Sequence, residues 1–118
     1  WLAAIDSSHG GKTALNVAGI KNQIGSFYLA ETTYLVKSIL EAQPDVRADE
    51  ALGELAKIAM IDNGAWVKKL ESSQPQLKSD LLWSFLKPAV EAKLKVVRKD
   101  PQEKTGHRQI LNFGHTFG

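Results

Sequence analysis

The stretch QPDVRADE, residues 43–50, separates two differently patterned parts of the chain. Beyond it the pattern is mostly helical. Apolar spacing predicts a helix from about Val46 to Ile61, halted by the turn signal DNG at residues 62–64. A short helix is expected in AWVKKLES (residues 65–72). A longer one is expected in SDLLWSFLKPAVEAKLKVV (residues 79–97), with a kink at Pro88. DPQEKTG (residues 100–106) then reads as a loop, and HRQILNFGHTFG (residues 107–118) opens a last helix. On the other side of residues 43–50 the chain is Gly-rich. WLAAI, at residues 1–5, reads as a strand emptying into the loop DSSHGG, and the β-branched and aromatic run TTYLV, at residues 32–36, predicts a second strand. The expected fold class is an α/β tail, residues 1–44, joined to a mainly α-helical domain, residues 45–118.

Composition sets outer limits. The chain has 118 residues, 43% of them hydrophobic and 24% charged, which suits one soluble globular unit. Lys and Arg number 15 against 13 Asp and Glu, giving a formal charge of +2, too mild to argue for nucleic acid or an anionic membrane as partner. Cysteine is absent, which excludes a disulfide framework and a thiolate metal site. No apolar run approaches the roughly 18 residues of a membrane span, and WLAAIDSSHGG lacks a signal peptide's basic leader. A soluble intracellular protein is the expectation. Both ends are abrupt, at Trp1 and in NFGHTFG, as though the sequence were an internal piece of a longer one.

Three groups of residues could carry chemistry. In DSSHGGKT, Gly10 and Gly11 precede Lys12 and Thr13, as in a loop whose N–H groups and lysine cradle phosphate. A full P-loop needs glycine six positions before its lysine, where Asp6 stands. The segment is therefore either an ordinary turn or an anion site, to which GIKNQIG adds Lys21 and Asn22. In ALGELAKIAMI, Ala51, Glu54, Ile58 and Ile61 share one helical stripe, with Lys57 to one side. That is either a surface ion pair worth tenths of a kcal/mol, or a carboxylate among apolar neighbours that must be paired or metal-bound. In the terminal segment Arg108, Asn112 and His115 share one face if helical, opposite Ile110, Phe113 and Phe117. Gly114 and Gly118 would be tolerated there where a backbone or ligand comes close, since glycine costs a helix about 1 kcal/mol relative to alanine.

DSSHGGKT, GIKNQIGSFY, GELAK and LNFGHTFG, in this order, resemble the 3-dehydroquinate synthase family of sugar phosphate cyclases. The resemblance implies a fragment of a two-domain fold, with an N-terminal nucleotide-binding α/β domain, a C-terminal helical domain and the active site between them. It implies Glu54 and His115 as two of three ligands to zinc (or cobalt). Asp6, Lys12 and Lys21 would lie near NAD. Lys12, Asn22, Lys57, Lys93, Arg108 and Asn112 would grip the phosphate, hydroxyls and carboxylate of a phosphorylated sugar acid. Lys57, Lys12, Asp6 and Glu103 would form the catalytic set. The implied reaction turns 3-deoxy-D-arabino-heptulosonate 7-phosphate into 3-dehydroquinate and phosphate, in a cytoplasmic homodimer. A sister cyclase acting on another sugar phosphate, similar to 2-deoxy-scyllo-inosose synthase, is the neighbouring alternative. Two unrelated readings stand against it, a nucleotide-hydrolysing P-loop protein and a catalytically silent helical module. A fragment with two ligands of three is expected to be inactive alone.

Overall fold

A computed structural model describes residues 1–114, which are mainly helical with one two-stranded sheet. The long helices lie close to where their periodicity puts them. Helix α1 is the short turn Leu2–Ile5 and α2 is Lys37–Glu41. Helix α3, Asp45–Asp62, begins after Pro44, whose carbonyl accepts the Arg47 N–H at 2.9 Å. It ends at Asn63, which takes the left-handed conformation (φ 47°) at the turn that DNG signals. Helix α4, Ala65–Glu71, is followed by α5, Lys78–Lys99. Pro88 lies inside α5, and the helix continues through it.

Helices α3 and α5 form the core. Ala51, Leu55 and Ile58 of α3 cluster with Leu82, Leu86, Ala89 and Ala92 of α5, and Trp66 and Phe85 pack at the edge. Fully burying a Leu or Ile side chain stabilises by roughly 1.5–3 kcal/mol, so this face dominates the packing energy.

The first 44 residues depart from expectation. WLAAI is not a strand: its helical turn, α1, buries Ala4 and Ile5 in the core beside Trp1. Two adjacent alanines favour helix, and a short apolar run carries no decisive period. TTYLV is not a strand either; it runs unpaired into α2. The sheet is formed instead by β1 (Lys12–Val17), which starts at the end of DSSHGGKT, and β2 (Ile20–Phe27), which takes in most of GIKNQIG, paired antiparallel. Ala18 and Gly19, both at positive φ, make the two-residue turn. The register puts Leu15, Val17, Ile20 and Ile24 on one face, and the strands are exposed along their whole length. The ladder slips around residues 21–23, where Asn22 (φ 57°) donates its N–H to Asn16 Oδ1 at 3.0 Å. His107–Asn112 is a 3-10 helix rather than the start of an α-helix.

The placement that matters for chemistry follows from these elements. A 3-10 turn, Ser7–His9, leads from α1 to Gly10 and the base of the hairpin. The 3-10 helix that follows α5 closes on that same place through Arg108.

Candidate functional site

Lys93 projects from α5 and is 4% exposed. Its ammonium donates to both the side chain and the main-chain carbonyl of Asp6, which follows α1. Burial works against the ionised Asp6, but the Lys93 hydrogen bond and charge outweigh it and hold the carboxyl below its usual range. Burial also pulls Lys93 down, against the opposing effect of Asp6.

On α3, Lys57 and Glu54 form an ion pair at 2.7 Å with side chains 9% and 11% exposed. This is no surface pair. The Lys57 ammonium donates to the Leu111 carbonyl at 2.8 Å, which ties α3 to the terminal 3-10 helix. Burial raises the Glu54 carboxyl; Lys57 opposes the rise and the neighbouring Asp6 adds to it. Glu54 Oε1 is buried, and it is the oxygen that faces the Lys57 ammonium. The same ammonium, which has three N–H donors, also donates to the Leu111 carbonyl.

Arg108, 3% exposed, completes the group. Its guanidinium donates to the Gly10 carbonyl at 2.5 Å and to the Pro101 carbonyl at 3.0 Å, and lies 5.8 Å from the centre of the Phe27 ring. A Cβ on Gly10 would come within 2.8 Å of an Arg108 nitrogen, so glycine there lets the guanidinium approach the backbone. Lys12, at the start of β1, pairs with Glu103, which also accepts from Asn112 Nδ2 at 3.3 Å. The Lys12 bond lowers the Glu103 carboxyl despite some desolvation.

Asp6, Gly10, Lys12, Lys93, Arg108 and Asn112 line one open cleft of about 210 Å³. A more open groove shares Lys12 with it and joins Glu103 to Asn22 on the hairpin. A neighbouring recess of about 290 Å³, between Ile58, Ile61, Val96 and Ile110, shares Lys93 and Leu111 with the cleft and contains neither Asp6 nor Glu54. The cleft combines buried cations with a carboxylate and an amide, an arrangement suited to gripping a small anion with hydroxyls rather than an apolar ligand.

Most of the side chains picked from the sequence therefore gather around one place. Lys21 stays exposed in the irregular part of β2, and His115 lies outside the described residues. Gly10–Thr13 leads into a strand, so it provides no P-loop, which requires a helix N-terminus at that position. Among the described residues no three His, Asp or Glu side chains converge as a metal site. The buried carboxylate of Glu54, paired with Lys57, is chemically the kind of donor one metal ligand requires.

Sequence reading passes over Asp100, which follows the last turn of α5 and is 2% exposed. Its carboxylate accepts N–H groups from Lys104 at 2.8 Å, Thr105 at 3.2 Å and Arg108 at 3.3 Å. Desolvation raises its pKa, but these backbone donors prevail and bring it to about 2. The available signal is an Asp between the end of a helical pattern and a proline.

The C-terminal 3-dehydroquinate synthase family model matches residues 51–118, and the N-terminal one matches residues 1–50. Among curated relatives, the 3-dehydroquinate synthase of Methylacidiphilum infernorum is 38% identical over 117 residues, 99% of this chain and 32% of that protein. That of Rhodopirellula baltica is 32% identical over 119 residues, 98% of this chain and 32% of its own length. That of Prochlorococcus marinus strain MIT 9313 is 38% identical over 122 residues, again 99% and 32%. The chain thus spans about a third of the length of the curated relatives it matches.

Proposed function

Because the chain belongs to the 3-dehydroquinate synthase family, we propose that it forms part of the active site of such a lyase. The boundary between the two domains would fall between residues 44 and 45. The reaction would convert 3-deoxy-D-arabino-heptulosonate 7-phosphate to 3-dehydroquinate and phosphate in a cytoplasmic homodimer. What supports this beyond kinship is the convergence of Lys57, Lys93 and Arg108, all buried, with Asp6 and Glu54 in one cluster. Burying so many ionisable groups is costly unless they are paired, and a ligand with anionic ends and hydroxyls gives that clustering a use.

In this reading Arg108 takes the substrate carboxylate, for which its planar fork is suited. Lys12 and Asn22 take the phosphate from the hairpin side, and Lys93, Lys57 and Asn112 hold the hydroxyls and carboxylate from the helical side. Glu103 pairs with Lys12 when the site is empty. Asp6 sits where a nicotinamide edge would meet the substrate, with Lys12 and Lys21 offering charge to the dinucleotide. Gly10–Gly11 opens onto a strand, so the described residues fit side contacts to NAD rather than a pyrophosphate cradle. Glu54, with His115, would hold zinc. When bound, zinc supplies Lewis acidity toward the hydroxyls and NAD supplies reversible hydride acceptance. The residues of this chain orient one small molecule through several steps, which is chiefly a positioning task.

The test uses the full-length protein. Phosphate release from the seven-carbon sugar acid phosphate, dependent on zinc and NAD, is the expected result. Turnover of a different sugar phosphate in its place would assign the chain to a sister cyclase. No turnover of either by a metal-loaded, folded protein would sink the reading.

A further inference from the structure

The loop from Asp100 to Arg108 carries Arg108 to the cleft and Glu103 to the adjoining groove, and it is wound around one residue. Asp100 receives four backbone N–H groups. Its own carbonyl accepts the Glu103 N–H at 3.1 Å, and its carboxylate accepts those of Lys104, Thr105 and Arg108. The loop does not hold this shape by conformational preference. Glu103 sits at φ 55°, a left-handed conformation unfavourable for a glutamate. Such a backbone persists only where surrounding bonds over-determine it.

What the winding achieves is directional. With its N–H on Asp100 Oδ2, Arg108 reaches back to Pro101 and across to Gly10, 98 positions earlier in the chain. Glu103, on the same loop, meets Lys12 at the base of the hairpin. We propose that Asp100 is a positioning residue of the active site, setting the guanidinium of Arg108 toward the substrate by gathering the loop's N–H groups. The proposal rests on the reading above for what Arg108 binds, but not for the placement of Arg108 itself. Asparagine at this position keeps the shape but replaces one accepting oxygen with an amino group that faces N–H donors, so the loop has to re-form.

Two measurements on full-length protein test it. In steady-state kinetics, Asp100→Asn is expected to raise KM for the sugar acid phosphate about tenfold with kcat within about threefold of wild type. In an Arg108→Ala background the same change is expected to add less than about twofold, because residues acting through one another are not additive. An unchanged KM, or full additivity, overturns the proposal. The second measurement needs no turnover: phenylglyoxal modification of Arg108, followed by mass spectrometry against the exposed Arg98. Asp100→Asn is expected to speed modification of Arg108 about tenfold relative to Arg98, as a buried side chain loses its anchor. An unchanged ratio overturns positioning. Released Arg108 in a protein with no sugar phosphate turnover would instead retain positioning and discard the substrate reading. If Asp100→Asn does not fold, Asp100→Glu, which keeps the charge and displaces it by one methylene, takes its place in both measurements.

Discussion

Lys93 donates to both the carboxylate and the main-chain carbonyl of Asp6, 87 positions away in the chain. A single ammonium therefore joins the end of α1 to α5, and it does so from a position 4% exposed to solvent.

Removing one partner of that pair should cost more than removing both. Lys93→Met leaves Asp6 partly buried without its cation. The expected loss is about 3 kcal/mol, the lower end for breaking a buried pair, because the Asp6 side chain keeps 33% of its surface in water. Lys93→Met with Asp6→Asn should recover about half of that, since neither charge is then left bare. Urea midpoints of the two variants and wild type decide the matter. Equal losses in the single and double variants would show that the pair contributes only packing.

Gly10 has φ −91°, so alanine is conformationally allowed there, yet its Cβ would come within 2.8 Å of an Arg108 nitrogen. The atom displaced is the far end of a flexible side chain. Gly10→Ala is accordingly expected to change stability by less than about 1 kcal/mol while moving the guanidinium off the Gly10 carbonyl. For the full-length protein acting as the proposed lyase, this predicts a rise in KM of about fivefold with little change in kcat, the pattern of lost uniform binding. A fall in kcat alone would place Arg108 in the chemical step instead.

Helices α3 and α5 are legible in the sequence because apolar residues recur over many turns and DNG supplies a stop at Asn63. The hairpin leaves a fainter trace, in the alternation of Thr13, Leu15 and Val17 and the two-residue turn before Ile20. Glycines and lysines at Gly10–Lys12 and Gly19–Lys21 mask it by favouring loops. TTYLV has the composition of a strand, but β-propensity is realised only against a partner strand, and the sheet of the described residues consists of β1 and β2. Glu54 stands out because a carboxylate on an apolar stripe is anomalous in any helix. Asp100 does not, because its partners are backbone N–H groups, which every sequence supplies and none advertises.

Glu54→Gln addresses the buried carboxylate directly. The amide keeps the shape and loses the charge a divalent cation needs, so zinc bound per full-length protein is expected to fall at least about tenfold at limiting metal, on the scale of losing a ligand. His115→Ala should do the same. Atomic absorption after dialysis reads both. Unchanged zinc in Glu54→Gln would return the carboxylate to a purely structural pairing with Lys57.

Asp100 also predicts a dependence on pH. Its folded pKa is about 2, against about 3.9 for an unperturbed aspartate. The unfolded chain therefore binds the proton more readily, and folding is favoured wherever Asp100 is ionised in both states. That contribution is fully present above about pH 5, clear of the unfolded value. It is lost as pH falls through the folded value, about 2. Asp100→Asn lacks the titration, so its stability deficit relative to wild type should be constant above about pH 5 and shrink steadily below about pH 4. Urea midpoints of both proteins across that range provide the comparison. A deficit independent of pH would mean that the carboxyl titrates alike in the folded and unfolded chains and that its charge contributes nothing.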